Sequence, residues 1–478
     1  MPGVYKNVLS NSLILLFGSF FAGLFLFLFN VLLARLLSVE EFGIALLVIS
    51  VFSFFILVFE FGIGNATTKF VAEFAKQNKK LSSIIVSSAE LFAIFSIIST
   101  LILFLSSEFI SRTILKNDIT IYLQIISLGI IFALIVRFAQ CVLLGFQEMK
   151  HSTAISIVNS GLRLAVPLFL LLLGLKIFGV VVGVVLGAAV AGIFSILVSL
   201  KYLKDKGIKL EKTEKMRQEM LSYGLLMYLP FLGIYLMPSL LNLLVGGLGS
   251  VSNVSYFAVS MTTTNLLFLF LMPLSLALLP MTADMYANAN KRKEIALLGN
   301  TFLRYSLLAS FVVIIFLTFF SSEILSIFYG KNYGAAGLVL SILSIAVFFE
   351  TMRIVADPLL NATNNAKNVS KAELIKFLAI ILVGFLLIPS NGIIGAAIAV
   401  LVAYIISNLL KLFYIKRMGV SLISAKIHVF IILVLLLALF LIFKQPFYYF
   451  IILFAVIIIF TKVVTLNELK LIKEKIFK

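Results

Sequence analysis

The chain of 478 residues has no tryptophan, one cysteine, two histidines and nine prolines, and its 20 acidic residues are outnumbered by 38 basic ones. Each scarcity removes something. Cys141 alone cannot form an internal disulfide, and with only His151 and His428 beside it no recognisable set of metal ligands can be assembled, so no metal is expected. No G-x-x-x-x-G-K-[ST] loop is present, and the stretch GGLGS at Gly246 lacks the lysine, so ATP is not expected as a direct energy source. No nucleophile with its base can be put together from the loops, so no catalytic residues are expected either. What is abundant is hydrocarbon. The chain is 62% hydrophobic with a mean hydropathy of +1.19, outside the range of soluble domains.

Fourteen apolar segments account for this, near 8–33, 44–63, 82–106, 119–144, 152–174, 177–200, 221–246, 252–279, 298–320, 337–360, 369–388, 392–414, 427–443 and 447–464. A spanning helix needs roughly 20 apolar residues, and most of these segments meet that length. Lys6 precedes an apolar run too long for a cleavable signal, so the start of the chain reads as the first spanning helix. With the N-terminus inside, cytoplasmic loops and tails hold 25 Lys and Arg, against six on the other side: Arg35, Arg112, Lys116, Lys176, Lys331 and Lys444. That bias predicts a multi-pass protein of the cell (inner or plasma) membrane with both termini cytoplasmic. It also absorbs the net charge of +18, so no nucleic-acid partner is expected. The densest basic block, Lys201–Arg217, reads as a solvated linker touching anionic membrane lipid.

An internal repeat divides the chain. RFAQCVLLG (Arg137–Gly145) and RIVADPLLN (Arg353–Asn361) lie 216 residues apart, GVVVG at Gly179 and GIIGA at Gly392 lie 213 apart, and Gly207 and Gly419 close basic segments 212 apart. Six spans per half is an even number, so both halves point the same way, a parallel repeat about the membrane normal. The expected domains are an N-lobe (1–206, spans 1–6), a basic linker (207–220), a C-lobe (221–420, spans 7–12) and a tail (421–478) with spans 13 and 14.

The stretches LLARLLSVEEFGIALLVISVFSFFILVFEFGIGNATTKFVAE (Leu32–Glu73) and LLGFQEMKHSTAISIVNSGLRLAVPLFLLLLGLKIFGVVVG (Leu143–Gly183) resemble the polysaccharide-transport flippases (Wzx type) of the MOP superfamily. The resemblance implies an all-α polytopic, MATE-like fold, with two six-helix lobes forming a V around a central cavity. It implies a polyprenyl-(di)phosphate-linked glycan as substrate, moved by alternating access. A glycan polymerase or glycosyltransferases would be its partners. The cationic first helix of lipid II flippases (MurJ type) is not matched, since the first span offers only Asn11 and Asn30 before Arg35. A MATE-like, cation-coupled multidrug exporter is the competing reading. A membrane glycosyltransferase or polymerase comes third, because Glu40 and Glu41 read as the first turn of a helix capped by Ser38 rather than as an acceptor site.

Charges inside the spans carry the functional reading: Arg137, Arg163, Arg304, Arg353 and Lys376, with Glu60, Glu90, Glu350, Asp357 and Glu373. A charge at a lipid-facing helix centre costs about 2.5–3.5 kcal/mol, so these groups should face a cavity or one another. Arginine suits phosphate oxygens, which makes Arg137, Arg163 and Arg353 candidates for the substrate's headgroup. Glu90, Glu373 and Arg304 lie near span ends, where structural pairing or snorkelling competes equally. Glu60, Asp357 and Glu350 are candidates to bind a coupling Na+ or proton, or to serve as counter-ions. Tyr228, Tyr235, Ser239 and Asn242 form a polar stripe on span 7 that could line a sugar cavity or bond between helices. Pro230, Pro238 and Pro273 mark expected kinks in spans 7 and 8.

Overall fold

In the computed structural model of the chain, residues 2–211, 216–287, 292–422 and 427–442 are described, together with six positions between 450 and 457. Among the described residues there is no strand. The N-terminal lobe comprises α1 (Pro2–Leu36), α2 (Val39–Phe59), α3 (Ile63–Glu73), α4 (Asn78–Phe109), α5 (Thr120–Gly145), α6 (Met149–Leu170) and α7 (Lys176–Asp205). The C-terminal lobe comprises α8 (Arg217–Tyr235), α9 (Met237–Leu248), α10 (Val251–Ala287), α11 (Arg292–Phe319), α12 (Ser321–Tyr329), α13 (Gly337–Thr351), α14 (Arg353–Ala362) and α15 (Ala366–Arg417). A last helix, α16 (Ile427–Ile442), packs on α11 and α13 through Phe430 against Phe311 and Phe348. Thirteen of the fourteen expected spans coincide with helices. The fourteenth, 447–464, lies mostly outside the described residues.

Chain direction alternates from span to span. The 206–211 segment after α7 therefore shares one face of the bundle with the turns at 74–78, 146–148, 363–365 and 418–422, here called the basic face. The turns at 37–38 and 249–250 and the stretch 320–336 share the opposite face.

The entry to α2 follows from local chemistry. Glu41 N donates to Ser38 Oγ (3.2 Å) and Ser38 N donates to Glu41 Oε2 (3.0 Å), a reciprocal cap that leaves both acids in the first turn. Three expected spans are broken rather than continuous. Span 2 stops at Glu60, because Phe61 and Gly62 are left-handed (φ 46° and 70°), and the chain re-enters helix as α3. Span 7 breaks at Leu236, where Pro238 fits the first turn of α9 but not a helix interior. Span 10 breaks at Met352 between α13 and α14. Pro273, by contrast, sits inside α10 with Pro280 and does not divide it. The stretch 321–336, between the expected spans 298–320 and 337–360, folds into α12 and a 3-10 turn.

The repeat is written in the backbone. Left-handed residues recur in pairs between equivalent helices: Gln147 (φ 60°) with Asn364 (φ 61°), and Gly207 (φ 68°) with Gly419 (φ 78°). Lys176 (φ 46°, ψ −135°) is matched by Gly392 (φ 55°, ψ −132°), which splits α15 in two.

Contacts between lobes run along the inner edges of α1, α2 and α3 against α8, α9 and α10. Toward the opposite face, Arg35 Nε donates to Phe328 O (2.7 Å) and Arg35 Nη2 to Ile327 O, both carbonyls of the last turn of α12. Ser255 Oγ donates to Val39 O (2.5 Å), and Phe42 packs edge-on against Tyr333. Toward the basic face, Gly62 and Gly224 meet so closely that a Cβ on Gly62 would lie 2.2 Å from the Gly224 carbonyl oxygen.

Candidate functional site

Interior charge is organised differently in the two lobes. In the C-terminal lobe, α13, α14 and both halves of α15 converge on three carboxylates and three cations. Glu350 Oε1 lies 2.9 Å from Arg353 Nε and 3.2 Å from Lys376 Nζ, and its Oε2 accepts from Asn408 Nδ2 (3.0 Å). Glu373 bridges Lys376 (2.5 Å) and Lys411 (2.6 Å), and Lys411 reaches Asp357 at 2.8 Å. Arg353 also lies 3.8 Å from Asp357 and over the Phe268 ring. Equal numbers of both signs keep the cluster neutral, the condition under which ions survive in a low-dielectric interior. The three carboxylates, Arg353 and Lys376, with Asn265, Phe268 and Tyr404, line a cavity of about 170 Å³. The break at Met352 sits between Glu350 and Arg353, and the pair still meets.

The N-terminal lobe has fewer charges and no such balance. Glu60, nearly fully buried at the end of α2, holds Arg137 of α5 at 3.0 Å. Gly64 makes room for that pair, since a Cβ there would lie 2.2 Å from Glu60 Oε1. Arg163 of α6 is different. Its Nε is buried with no hydrogen-bond partner, and among the described residues no carboxylate pairs with it. It lines a cavity of about 270 Å³ with Phe52, Ser53, Ala133, Asn159 and Val184. Arg163 of α6 and Lys376 of the first half of α15 lie on helices that the paired left-handed residues 147/364 and 176/392 make equivalent, about one turn out of register. Lys376 is neutralised by Glu350 and Glu373, whereas Arg163 on the equivalent helix has no carboxylate among the described residues.

The structure therefore brings together Glu350, Arg353 and Asp357, spaced i, i+3, i+7 along the chain, and places Arg137 with Glu60. It keeps Arg163 apart from both groups. Tyr228 OH donates to Val58 O and Asn242 Nδ2 to Ser50 Oγ (3.0 Å), so both stripe residues bond across to α2 of the other lobe. The Tyr235 side chain lies outside the described ones. Glu90 is bound by Arg217 Nε at 2.6 Å, which ties α4 to the start of α8. Arg304 stacks over Tyr305. Sequence reasoning passed over Lys411, which lies in the last apolar turns of span 12 and reads as a snorkelling end residue but is fully buried. The signal was its stripe with Tyr404 and Asn408, spaced i, i+4, i+7.

Comparison with known proteins agrees with this architecture. The model of the family described as "Polysaccharide biosynthesis protein" matches residues 8–286, and the MatE model matches residues 227–390. The uncharacterized membrane protein MJ1068 of Methanocaldococcus jannaschii is 25% identical over 423 residues, covering 84% of this chain and 82% of that one. The probable low-salt glycan biosynthesis flippase Agl15 of Haloferax volcanii is 22% identical over 386 residues, covering 80% and 78%. The solved structure of the lipid II flippase MurJ, in an inward closed conformation, superposes with a TM-score of 0.73 at 18% identity, covering 93% of this chain and 96% of that one.

Proposed function

The chain belongs to the polysaccharide biosynthesis protein family of the MOP superfamily, and on that premise we propose that it is a flippase for a lipid-linked oligosaccharide. The observation that carries this reading is Arg163, a half-buried arginine whose Nε is buried without a partner and which has no carboxylate to neutralise it among the described residues, facing a cavity that also offers Asn159 and Ser53. An uncompensated cation in the membrane is costly and is kept for a partner that arrives with negative charge. A guanidinium presents parallel donors to phosphate oxygens. The polyprenyl diphosphate of a glycan carrier supplies them, and the polar groups beside Arg163 suit the first sugar.

In this reading the substrate enters from the basic, cytoplasmic face of the cell membrane. Its headgroup engages Arg163, and the lobes rock about α1, α2, α8 and α10 to release it on the opposite side, where a glycan polymerase or glycosyltransferases take it up. Arg353 and Arg137 act as held charges, released to the substrate only when their carboxylates let go. Glu60, Glu350 and Asp357 each already face a cation, so a proton is the better candidate for coupling. Protonating the carboxylate frees its partner, whereas Na+ would have to displace an arginine or lysine.

Replacing Arg163 by Ala should lower glycan export by about 10- to 100-fold, the loss of a charged hydrogen bond, while the protein stays in the membrane. Lys at that position should restore export in part. Normal export by Arg163→Ala would overturn this mechanism. The MatE match over 227–390 favours a second reading, that of a multidrug exporter. Efflux of cationic dyes that depends on Asp357 or Glu60 would establish it instead.

A further inference from the structure

Away from both charged cavities, a cleft of about 460 Å³ opens on the outer wall of the N-terminal lobe between α4 and α7, floored by α5. Its lips are apolar and outward-facing, Ile97 on α4 and Ile196 and Leu200 on α7, and its floor carries Ile131, Ile135 and Phe138. These rows face the bilayer, so the cleft is a slot of hydrocarbon width opening sideways into lipid.

Its polar features lie toward the basic face. Ser199 lines the cleft and is 6% exposed, yet its hydroxyl has no hydrogen-bond partner. A buried hydroxyl without an acceptor is unfavourable, so this one marks where an acceptor belongs. One lip, Ile196 and Leu200, continues at the same i, i+4 spacing to the exposed Lys204, about 6 Å beyond Leu200 along α7. The exposed Leu210 of the linker closes the mouth and brings Lys209 with it. Between residues 199 and 210 there are four lysines and one acid, Asp205. The acid inside the cleft, Glu90, is taken up by Arg217, and Ser96 Oγ donates to its own helix at Ala93 O (2.8 Å).

We propose that this cleft binds one bilayer glycerophospholipid with an anionic headgroup. A hydrocarbon chain lies between α4 and α7, a glycerol-linkage oxygen accepts from Ser199, and the phosphate sits at Lys204 and Lys209. The order of groups along the cleft selects the occupant. A glycerophospholipid presents hydrocarbon, then a linkage oxygen, then phosphate, matching apolar walls, Ser199 and the lysines in turn. A polyprenyl phosphate carries its phosphate directly on hydrocarbon and leaves Ser199 without an acceptor.

The test is lipid retention on the full-length protein, purified in mild detergent, delipidated and re-exposed to phosphatidylglycerol, phosphatidylcholine or undecaprenyl phosphate, with bound lipid counted by native mass spectrometry. Phosphatidylglycerol should bind at one per protein, ahead of both competitors. Lys204→Glu with Lys209→Glu, on exposed positions that leave the fold alone, should weaken it by about tenfold. Ala89→Trp, which fills the cleft, should abolish it, and Ser199→Ala should narrow the preference over undecaprenyl phosphate. Undecaprenyl phosphate binding as well as phosphatidylglycerol, or retention unchanged in the lysine variant, would overturn the proposal.

Discussion

At the scale of single residues, the C-terminal cluster makes a strong statement about stability. Among the described residues Glu373 is the only group that contacts both Lys376 and Lys411, and all three are buried. Removing its charge leaves three cations, Arg353, Lys376 and Lys411, sharing Glu350 and Asp357, and breaking a buried pair in this way costs about 3–5 kcal/mol. Glu373→Gln should therefore lower the thermal midpoint of the purified protein sharply, and adding Lys411→Met should recover part of the loss. If the double variant is no better than the single one, the cluster is not acting as a balanced set. Sequence reading reached half of this cluster. Glu350, Arg353 and Asp357 lie within one short segment, so helical spacing alone groups them. Lys376, Asn408 and Lys411 join from elsewhere in the chain, and which acid meets which base depends on how α14 and the two halves of α15 cross.

At the scale of helices, the repeat offers a matched experiment. Lys176 and Gly392 hold nearly the same left-handed backbone, but only glycine adopts it without a Cβ penalty. Lys176→Gly should stabilise the protein by about 1 kcal/mol, because the exposed contact it gives up, Lys176 with Glu41, contributes little. Gly392→Ala should destabilise by a similar amount, and thermal unfolding of the two variants reads both signs at once. The spans themselves were legible because length and hydropathy define them. Their interruptions were less so. Pro238 signals the break that opens α9, yet Pro273 leaves α10 whole, since a proline kinks a helix only as far as its neighbours allow. The breaks at Phe61 and at Met352 have no proline, and each lies beside an interior ion pair that fixes the chain there.

At the scale of the whole molecule, transport requires the lobes to part, and the bond from Asn242 to Ser50 is one of the contacts that must break. A protein with Ser50→Cys and Asn242→Cys should lose export on oxidation and regain it on reduction. The native Cys141 is buried and leaves a clean background. Full export by the crosslinked protein would mean that α2 and α9 move as one body. Topology is a separate matter. Reporters fused after Lys80, after Lys212 and at the C-terminus should all lie in the cytoplasm, and an external signal at Lys212 would break the parallel arrangement of the lobes. The two faces of the molecule also differ in what holds them shut. Near the basic face an ion pair, Glu90 with Arg217, links α4 to α8. On the opposite face Arg35 is gripped by the carbonyl oxygens of Phe328 and Ile327, and Ser255 by that of Val39. Peptide carbonyls neither titrate nor carry a net charge for counter-ions to shield. The closure on the face opposite the basic one should accordingly be indifferent to the acidity and ionic strength of the water on that side, and an organism could carry the same transporter from dilute to briny water without retuning that gate.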